Sequence, residues 1–90
     1  MVYYNQLIVE VEVIILIGKN VFRIRIDKKL SRNELAMKVG VSQQFIQQLE
    51  KGKKNPSINT AKKLAFALGC TIDELLSENK NLPDIAGKSN

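Results

Sequence analysis

The sequence predicts an all-α domain of five helices, preceded by a strand-like N-terminal extension. Between residues 19 and 77, apolar side chains recur in short runs at helical spacing. The residues between these runs are of the kinds that begin and end helices: Ser31, Ser42, Ser57 and Thr71 at N-cap positions, and Gly40 and Gly69 at C-terminal ends. A chain of 90 residues is long enough for one small domain of this kind.

Residues 1–17 form an apolar extension rich in Val and Ile, which favour strands. A single strand leaves its backbone groups unpaired, and the sequence shows no second strand. We therefore expect the extension to be a dimerisation strand that pairs with its copy in a second subunit. Two alternatives stay open, that it extends helix 1 or that it is disordered. Its apolar run, 7–17, is too short to span a bilayer, and two acidic residues interrupt it.

The domain proper is predicted over residues 18–77 and begins with helix 1 at residues 19–29. Val21 and Ile24 can face the core, whereas Phe22 and Ile26 form an apolar pair on a neighbouring face. Because that face would normally be wet in so small a domain, we expect the N-terminal extension to cover it.

Helix 2 (residues 32–39) and helix 3 (residues 43–50) are predicted to form a helix-turn-helix joined at Gly40. One apolar face runs through both helices and the turn, formed by Leu35, Ala36, Val39, Val41, Ile46 and Leu49. Ser31 and Glu34 have the spacing of a capping box at the start of helix 2. Gly40 stands where the turn needs a residue that tolerates a positive φ.

The outward side of helix 3 carries four glutamines and no acid: Gln43, Gln44, Gln47 and Gln48. Exposed helices normally mix Lys with Glu, and glutamine can pair bidentately with adenine in the major groove. This pattern favours sequence-specific DNA binding over the alternative of an ordinary solvated face.

Positive charge is concentrated in the same region. The chain has a net charge of +5, and residues 19–57 hold ten basic side chains against three acidic ones. The basic turn (residues 51–56, KGKKNP) follows helix 3 directly, and its three lysines are expected to contact phosphates: Lys51, Lys53 and Lys54.

Helix 4 (residues 58–68) and helix 5 (residues 72–77) are predicted to close the core. Their inward residues are Ile58, Ala61, Leu64, Ala65, Leu68, Ile72, Leu75 and Leu76. Residues 78–90 have little apolar content and are expected to be a flexible tail.

The composition also argues against several classes of protein. The chain has no histidine and one cysteine, Cys70, which we expect to be a buried structural thiol in a reducing cytoplasm. We find no nucleophile–base pair, phosphate-binding glycine loop or metal-ligand spacing, and therefore expect no catalytic residues, no metal and no cofactor.

Four motifs occur in the order and spacing of one known family: LSRNELA, VGVS, QLEKGKKNPS and ALGCTIDELL. Over residues 17–77 the chain resembles the Cro/CI-type (XRE) helix-turn-helix family. Its third helix is similar to the recognition helices of lambdoid phage repressors. The resemblance implies a five-helix, lambda-repressor-like DNA-binding domain.

The resemblance also implies roles for individual residues. Helix 3 would enter the major groove, with Gln43, Gln44 and Gln48 at base-reading positions and Gln47 peripheral. Phosphate contacts would come from Arg32, Ser42 and the three lysines of the basic turn. Arg25 and Glu50 match a buried ion pair that joins helix 1 to helix 3. The chain departs from the family at its N-terminal extension and at three apolar residues where relatives are commonly polar: Phe22, Ile26 and Phe66.

The leading hypothesis is a cytoplasmic transcriptional repressor that binds a palindromic, A-rich DNA operator as a homodimer. Its half-sites would lie about 10 bp apart, one turn of the duplex. The alternative is an antitoxin-like interaction module whose N-terminal segment binds a partner protein. No membrane partner is expected.

Overall fold

The computed structural model describes residues 6–78, with side chains from residue 9 onward. Its elements are α1 Gln6–Asp27, α2 Arg32–Val39, α3 Gln43–Glu50, α4 Ile58–Leu68 and α5 Ile72–Leu76. The all-α prediction is confirmed, and the bounds of α2, α3 and α4 are those predicted. α1 packs against α3, α4 and α5, and α2 packs against α3 and α4. The expected tail lies almost wholly outside the described residues.

The predicted N-terminal strand is wrong, because residues 6–17 are the first turns of α1. Alternating Val and Ile suit a strand, but Ile17, Val21 and Ile24 are buried at helical spacing and continue the same helix. A helix also satisfies its backbone groups internally, so no partner strand is needed. Residues 1–5 of the predicted extension lie outside the described part of the chain.

The expected cover over Phe22 and Ile26 is also absent from the described residues. These side chains are 45% and 52% exposed. The physical reason follows from the helix itself: an extension that continues α1 runs along its axis and cannot fold back over its side. The apolar pair therefore remains open in the described part of one copy.

The core lies between α1, which packs against α3, α4 and α5, and α2, which packs against α3 and α4. Its largest fully buried apolar side chains are Val21, Leu35, Ile46, Leu49, Leu64, Leu68 and Leu75. Two residues predicted to face inward do not, since Ile58 is 69% and Leu76 is 41% exposed. They are the first residue of α4 and the last residue of α5.

The predicted caps are confirmed. Ser31 and Glu34 form a reciprocal capping box, and the Ser42 hydroxyl accepts a hydrogen bond from the Phe45 amide. Gly40 ends α2 with a φ of +84°, in the left-handed region. These local signals set the turn between α2 and α3, and so the angle at which α3 is presented.

Two residues of α1 have packing roles that the sequence did not reveal. A Cβ on Gly18 would overlap the Leu49 carbonyl oxygen, so only glycine lets α1 and α3 approach this closely. Asn20 is fully buried, and its amide nitrogen donates to the carbonyls of Leu75 (2.7 Å) and Ser77 (2.8 Å). Together these residues join α1 to α3 on one side and to the end of α5 on the other.

Candidate nucleic-acid interface

α3 presents a polar outer side and an apolar inner side. Ile46 and Leu49 are buried, and Phe45 packs against the core from the flank. Gln43 and Gln44, in the first turn, are exposed. The buried side thus holds the helix firmly while its N-terminal glutamines remain open to a ligand.

Gln47 and Gln48 lie in the second turn of α3 and are partly buried. With Gln43 and Gln44 they make up the glutamine face. The structure therefore places the predicted base-reading residues Gln43, Gln44 and Gln48 on one short helix, and Gln43 and Gln44 are the most accessible.

The acid at the end of α3 is enclosed by two guanidiniums. Arg25 Nε donates to Glu50 Oε2 at 2.6 Å, and Arg32 Nε donates to Glu50 Oε1 at 3.0 Å. The Glu50 side chain is only 3% exposed. The carboxylate is therefore neutralised locally and presents little negative charge to a polyanion.

Arg32 has a structural role that the sequence did not reveal. Its side chain keeps 38% exposure while its Nε is bound to Glu50. Since the predicted phosphate contact needs only part of the guanidinium, both roles are sterically compatible. The ion pair also holds this cation near the N-terminus of α2, where its charge adds to that of the helix end.

The basic turn follows the glutamine face without a break. Lys51, Lys53 and Lys54 are exposed, and the Lys53 amide donates to the Gln48 carbonyl at 2.8 Å. Gly52 has a φ of +76° and lies against Ile15 of α1. The turn is thus braced against α1 and displays its cations beside the end of α3.

Ser42 can serve both α3 and a ligand. Its oxygen accepts the Phe45 amide at 3.0 Å, which leaves its hydroxyl hydrogen free to donate. A phosphate oxygen near the N-terminus of α3 would accept that hydrogen and would also meet the positive end of the helix dipole. The predicted role of Ser42 is consistent with this geometry.

The described residues offer little support for a metal site, a reactive cysteine or a membrane-spanning helix. Among the described residues, no group of three or more acidic, cysteine or histidine side chains is placed to hold a metal ion. Cys70 is partly buried, and this burial raises the pKa of its thiol, which makes the nucleophilic thiolate scarcer. None of the helices in the described range combines the length and apolarity needed to cross a bilayer.

The chain is similar to known helix-turn-helix proteins in sequence and in structure. The helix-turn-helix family model HTH_3 matches residues 21–75, which is more than half of the chain. An HTH-type transcriptional regulator of Sinorhizobium fredii, y4dJ, is 38% identical over 68 residues, covering 76% of this chain and 88% of its own.

Phage repressors and a structurally characterised controller are also similar. The immunity repressor of Bacillus phage phi105 is 31% identical over 69% of this chain, and the match spans 43% of the repressor. The crystal structure of the restriction–modification controller C.AhdI from Aeromonas hydrophila superposes with a TM-score of 0.66 at 31% identity, covering 69% of this chain and 94% of C.AhdI. The chain therefore belongs to the HTH_3 (XRE-type) helix-turn-helix family of DNA-binding transcriptional regulators.

Proposed function

We propose that this protein represses transcription by binding a palindromic operator as a homodimer, with α3 in the major groove. The observation that carries the proposal is the exposure of Gln43 and Gln44 in the first turn of a helix whose other side is locked into the core. A recognition helix of this fold places its N-terminal residues against base edges. Glutamine there favours adenine, because its amide matches adenine N6 and N7.

The surrounding charges favour phosphate contacts beside the glutamines that would read the bases. The lysines of the basic turn are exposed beside α3 and supply contacts that do not depend on sequence. Ser42 and Arg32 would add contacts near the N-termini of α3 and α2. Glu50 does not oppose them, because Arg25 and Arg32 bind its carboxylate.

Repression by occupancy is the simplest action for a domain of this kind. A dimer that covers promoter DNA blocks polymerase without any further activity. Two similar proteins are named for related roles, an immunity repressor and a restriction–modification controller. Location in the cytoplasm, where the operator lies, is part of this proposal.

Selection from a randomised duplex library at physiological salt tests the proposal. The full chain should enrich a palindrome with A-rich half-sites about one helical turn apart. Gln44→Ala should relax the preference at one base of each half-site. The control Asp73→Asn changes an exposed residue of α5 and should enrich the same palindrome. Enrichment of no motif by the folded wild-type chain would refute sequence-specific operator binding.

The exposed apolar residues of α1 favour a second candidate function, an antitoxin-like module that binds a partner protein. In that case Val11 and Phe22 would contact the partner, and DNA binding would be secondary. Purification from the native host separates the two functions. A stoichiometric heteromer supports the module, whereas a homodimer that binds the selected operator supports the repressor.

A further inference from the structure

α1 begins well before the part of the chain that matches the helix-turn-helix family. Its first residue is Gln6, whereas the family match begins at residue 21. From residue 9 onward, where the side chains of α1 are described, the first buried core residue is Ile17. The preceding turns therefore extend beyond the domain core.

An apolar face runs along the outside of this helix. It is formed by Val11, Ile15, Phe22 and Ile26, which are 46%, 43%, 45% and 52% exposed. At about 3.6 residues per turn, these four side chains fall within an arc of about 60°. They span about 22 Å of helix length at about 1.5 Å per residue. We call this surface the α1 apolar face.

The first turns of α1 need packing to stay helical. Val9, Val11 and Val13 are β-branched, which lowers their helix propensity, and all three are exposed in one copy. An isolated helical segment of two or three turns is marginal in water. Of these three residues Val11 lies on the α1 apolar face, so a partner packed on that face would supply part of the missing stabilisation.

We propose that the α1 apolar face is the homodimer interface, formed by antiparallel pairing with α1 of a second copy. The inference rests on the homodimer of the proposed function and names its surface. It replaces the strand pairing expected from the sequence with a pair of helices. The occupant is a second copy because, in an antiparallel pair, Glu12 of each α1 lies opposite Lys19 of the other.

The charge argument depends on Glu12 and Lys19, which lie on the same flank of the α1 apolar face, about 20° apart around the helix. Both side chains are exposed. A two-fold axis perpendicular to two antiparallel helices brings the same flank of each copy together. Glu12 of each copy then opposes Lys19 of the other, so that one dimer contains both attractive pairs.

This register also joins the apolar residues. Pairing Glu12 with Lys19 centres the dimer between residues 15 and 16. The exposed part of each Ile15, whose other side lies against Gly52, then approaches its copy near the axis. Val11 of one copy then lies beside Phe22 of the other. The projecting first half of each α1 thus packs beside Phe22 of its partner.

Sedimentation of the full chain without DNA tests the interface. Wild type should dimerise, and Glu12→Lys and Lys19→Glu should each raise the dimer dissociation constant roughly tenfold by turning attraction into repulsion. The double variant Glu12→Lys/Lys19→Glu recreates both pairs with reversed signs and should restore dimerisation to within about twofold of wild type. In a parallel pair, the flanks that carry Glu12 and Lys19 would lie on opposite sides of the dimer, so these pairs would not form and the double variant would not restore what the single variants lose.

Val11→Lys tests the apolar contact, with Phe66→Lys as the matched control. Phe66 is 89% exposed on α4 and lies outside the α1 apolar face. Val11→Lys should shift the protein to monomer, and Phe66→Lys should leave the dimer intact. Circular dichroism and the melting temperature show whether each variant is folded. A monomeric wild type, a dimer lost in Phe66→Lys, or a double variant as weak as the singles would overturn the proposal.

Binding to a duplex that carries one half-site separates this inference from the proposed function. Monomeric Val11→Lys should bind the single half-site as wild type does, and it should lose only the advantage of the full palindrome. If the interface proposal fails, half-site binding remains. If the operator proposal fails, neither the wild type nor any variant prefers the half-site.

Discussion

Arg25 and Glu50 join α1 to the end of α3 through two hydrogen bonds between guanidinium and carboxylate. Arg25 Nε lies 2.6 Å from Glu50 Oε2, and Nη2 lies 3.1 Å from Oε1. Both side chains are almost fully buried, and Arg25 Nη1 also donates to the Leu30 carbonyl at 2.8 Å. The ion pair therefore orients the helix that carries the glutamine face.

The two partners should differ in what their loss costs. Glu50→Ala leaves the buried Arg25 guanidinium without a counter-charge and should lower the free energy of unfolding by about 3–5 kcal/mol. Arg25→Ala should cost less, because Glu50 keeps Arg32 as a partner. Arg32→Ala, at the exposed side of the cluster, should cost at most about 1 kcal/mol. Urea denaturation measures all three, and a Glu50→Ala variant as stable as wild type would contradict this account.

Gly18→Ala should destabilise the protein, although alanine is the better helix former by about 1 kcal/mol. The added methyl group would meet the Leu49 carbonyl, so α1 and α3 must move apart. We expect a loss of about 1–3 kcal/mol from this overpacking. Urea denaturation of wild type and Gly18→Ala measures the change. A higher urea midpoint for Gly18→Ala would mean that the two helices are not in close contact there.

Lys53→Ala should make DNA binding less sensitive to salt. If Lys53 contacts one phosphate, its loss should reduce the slope of log K against log salt by about 0.9. The preference for the selected operator over random DNA should change little, because phosphate contacts carry no sequence information. Lys28→Ala, about 20 Å along α1 from the contact between Ile15 and the basic turn, serves as the control. Equal slopes for wild type and Lys53→Ala would remove Lys53 from the interface.

The capping box at α2 should make stability depend on pH in the acidic range. Hydrogen bonds from the Ser31 amide and hydroxyl hold the pKa of Glu34 below its ordinary value of 4.5. Because the folded-state pKa is the lower one, this stabilisation is fully present above the ordinary value and is lost as pH falls through the folded-state pKa. Glu34→Gln keeps an acceptor for the Ser31 amide but cannot titrate.

Melting temperatures of wild type and Glu34→Gln, measured from pH 6 down to about pH 3, test this linkage. Wild type should fall more steeply than the variant over the lower part of this range. Parallel curves would show that Glu34 is not linked to folding.

The part of the fold that depends on local chemistry could be predicted from the sequence. Ser31, Ser42 and Gly40 act within one turn of their own position, and each performs its predicted role at the end of a helix. The Arg25–Glu50 pair came from family resemblance, because nothing in residue spacing relates α1 to α3. The helix-turn-helix was thus predictable both from local patterns and from resemblance.

The parts that depend on tertiary packing were not predictable in the same way. Residues 6–17 carry a pattern that suits either a strand or a helix, and continuity with the buried residues of α1 decides for the helix. Gly18 and Asn20 looked unremarkable because their function depends on the Leu49 and Leu75 carbonyls of distant helices. Arg32 likewise shows its tie to Glu50 only in three dimensions.

The central claim is that α3 reads adenine through its glutamines. The most direct measurement combines Gln44→Ala with operators in which 7-deazaadenine replaces one adenine of each half-site, which removes only the N7 acceptor. At one position the replacement should weaken wild-type binding by about 1 kcal/mol per contact and leave binding by Gln44→Ala unchanged. If 7-deazaadenine weakens binding by Gln44→Ala as much as binding by wild type at every position, Gln44 does not read adenine N7. That result would contradict the account.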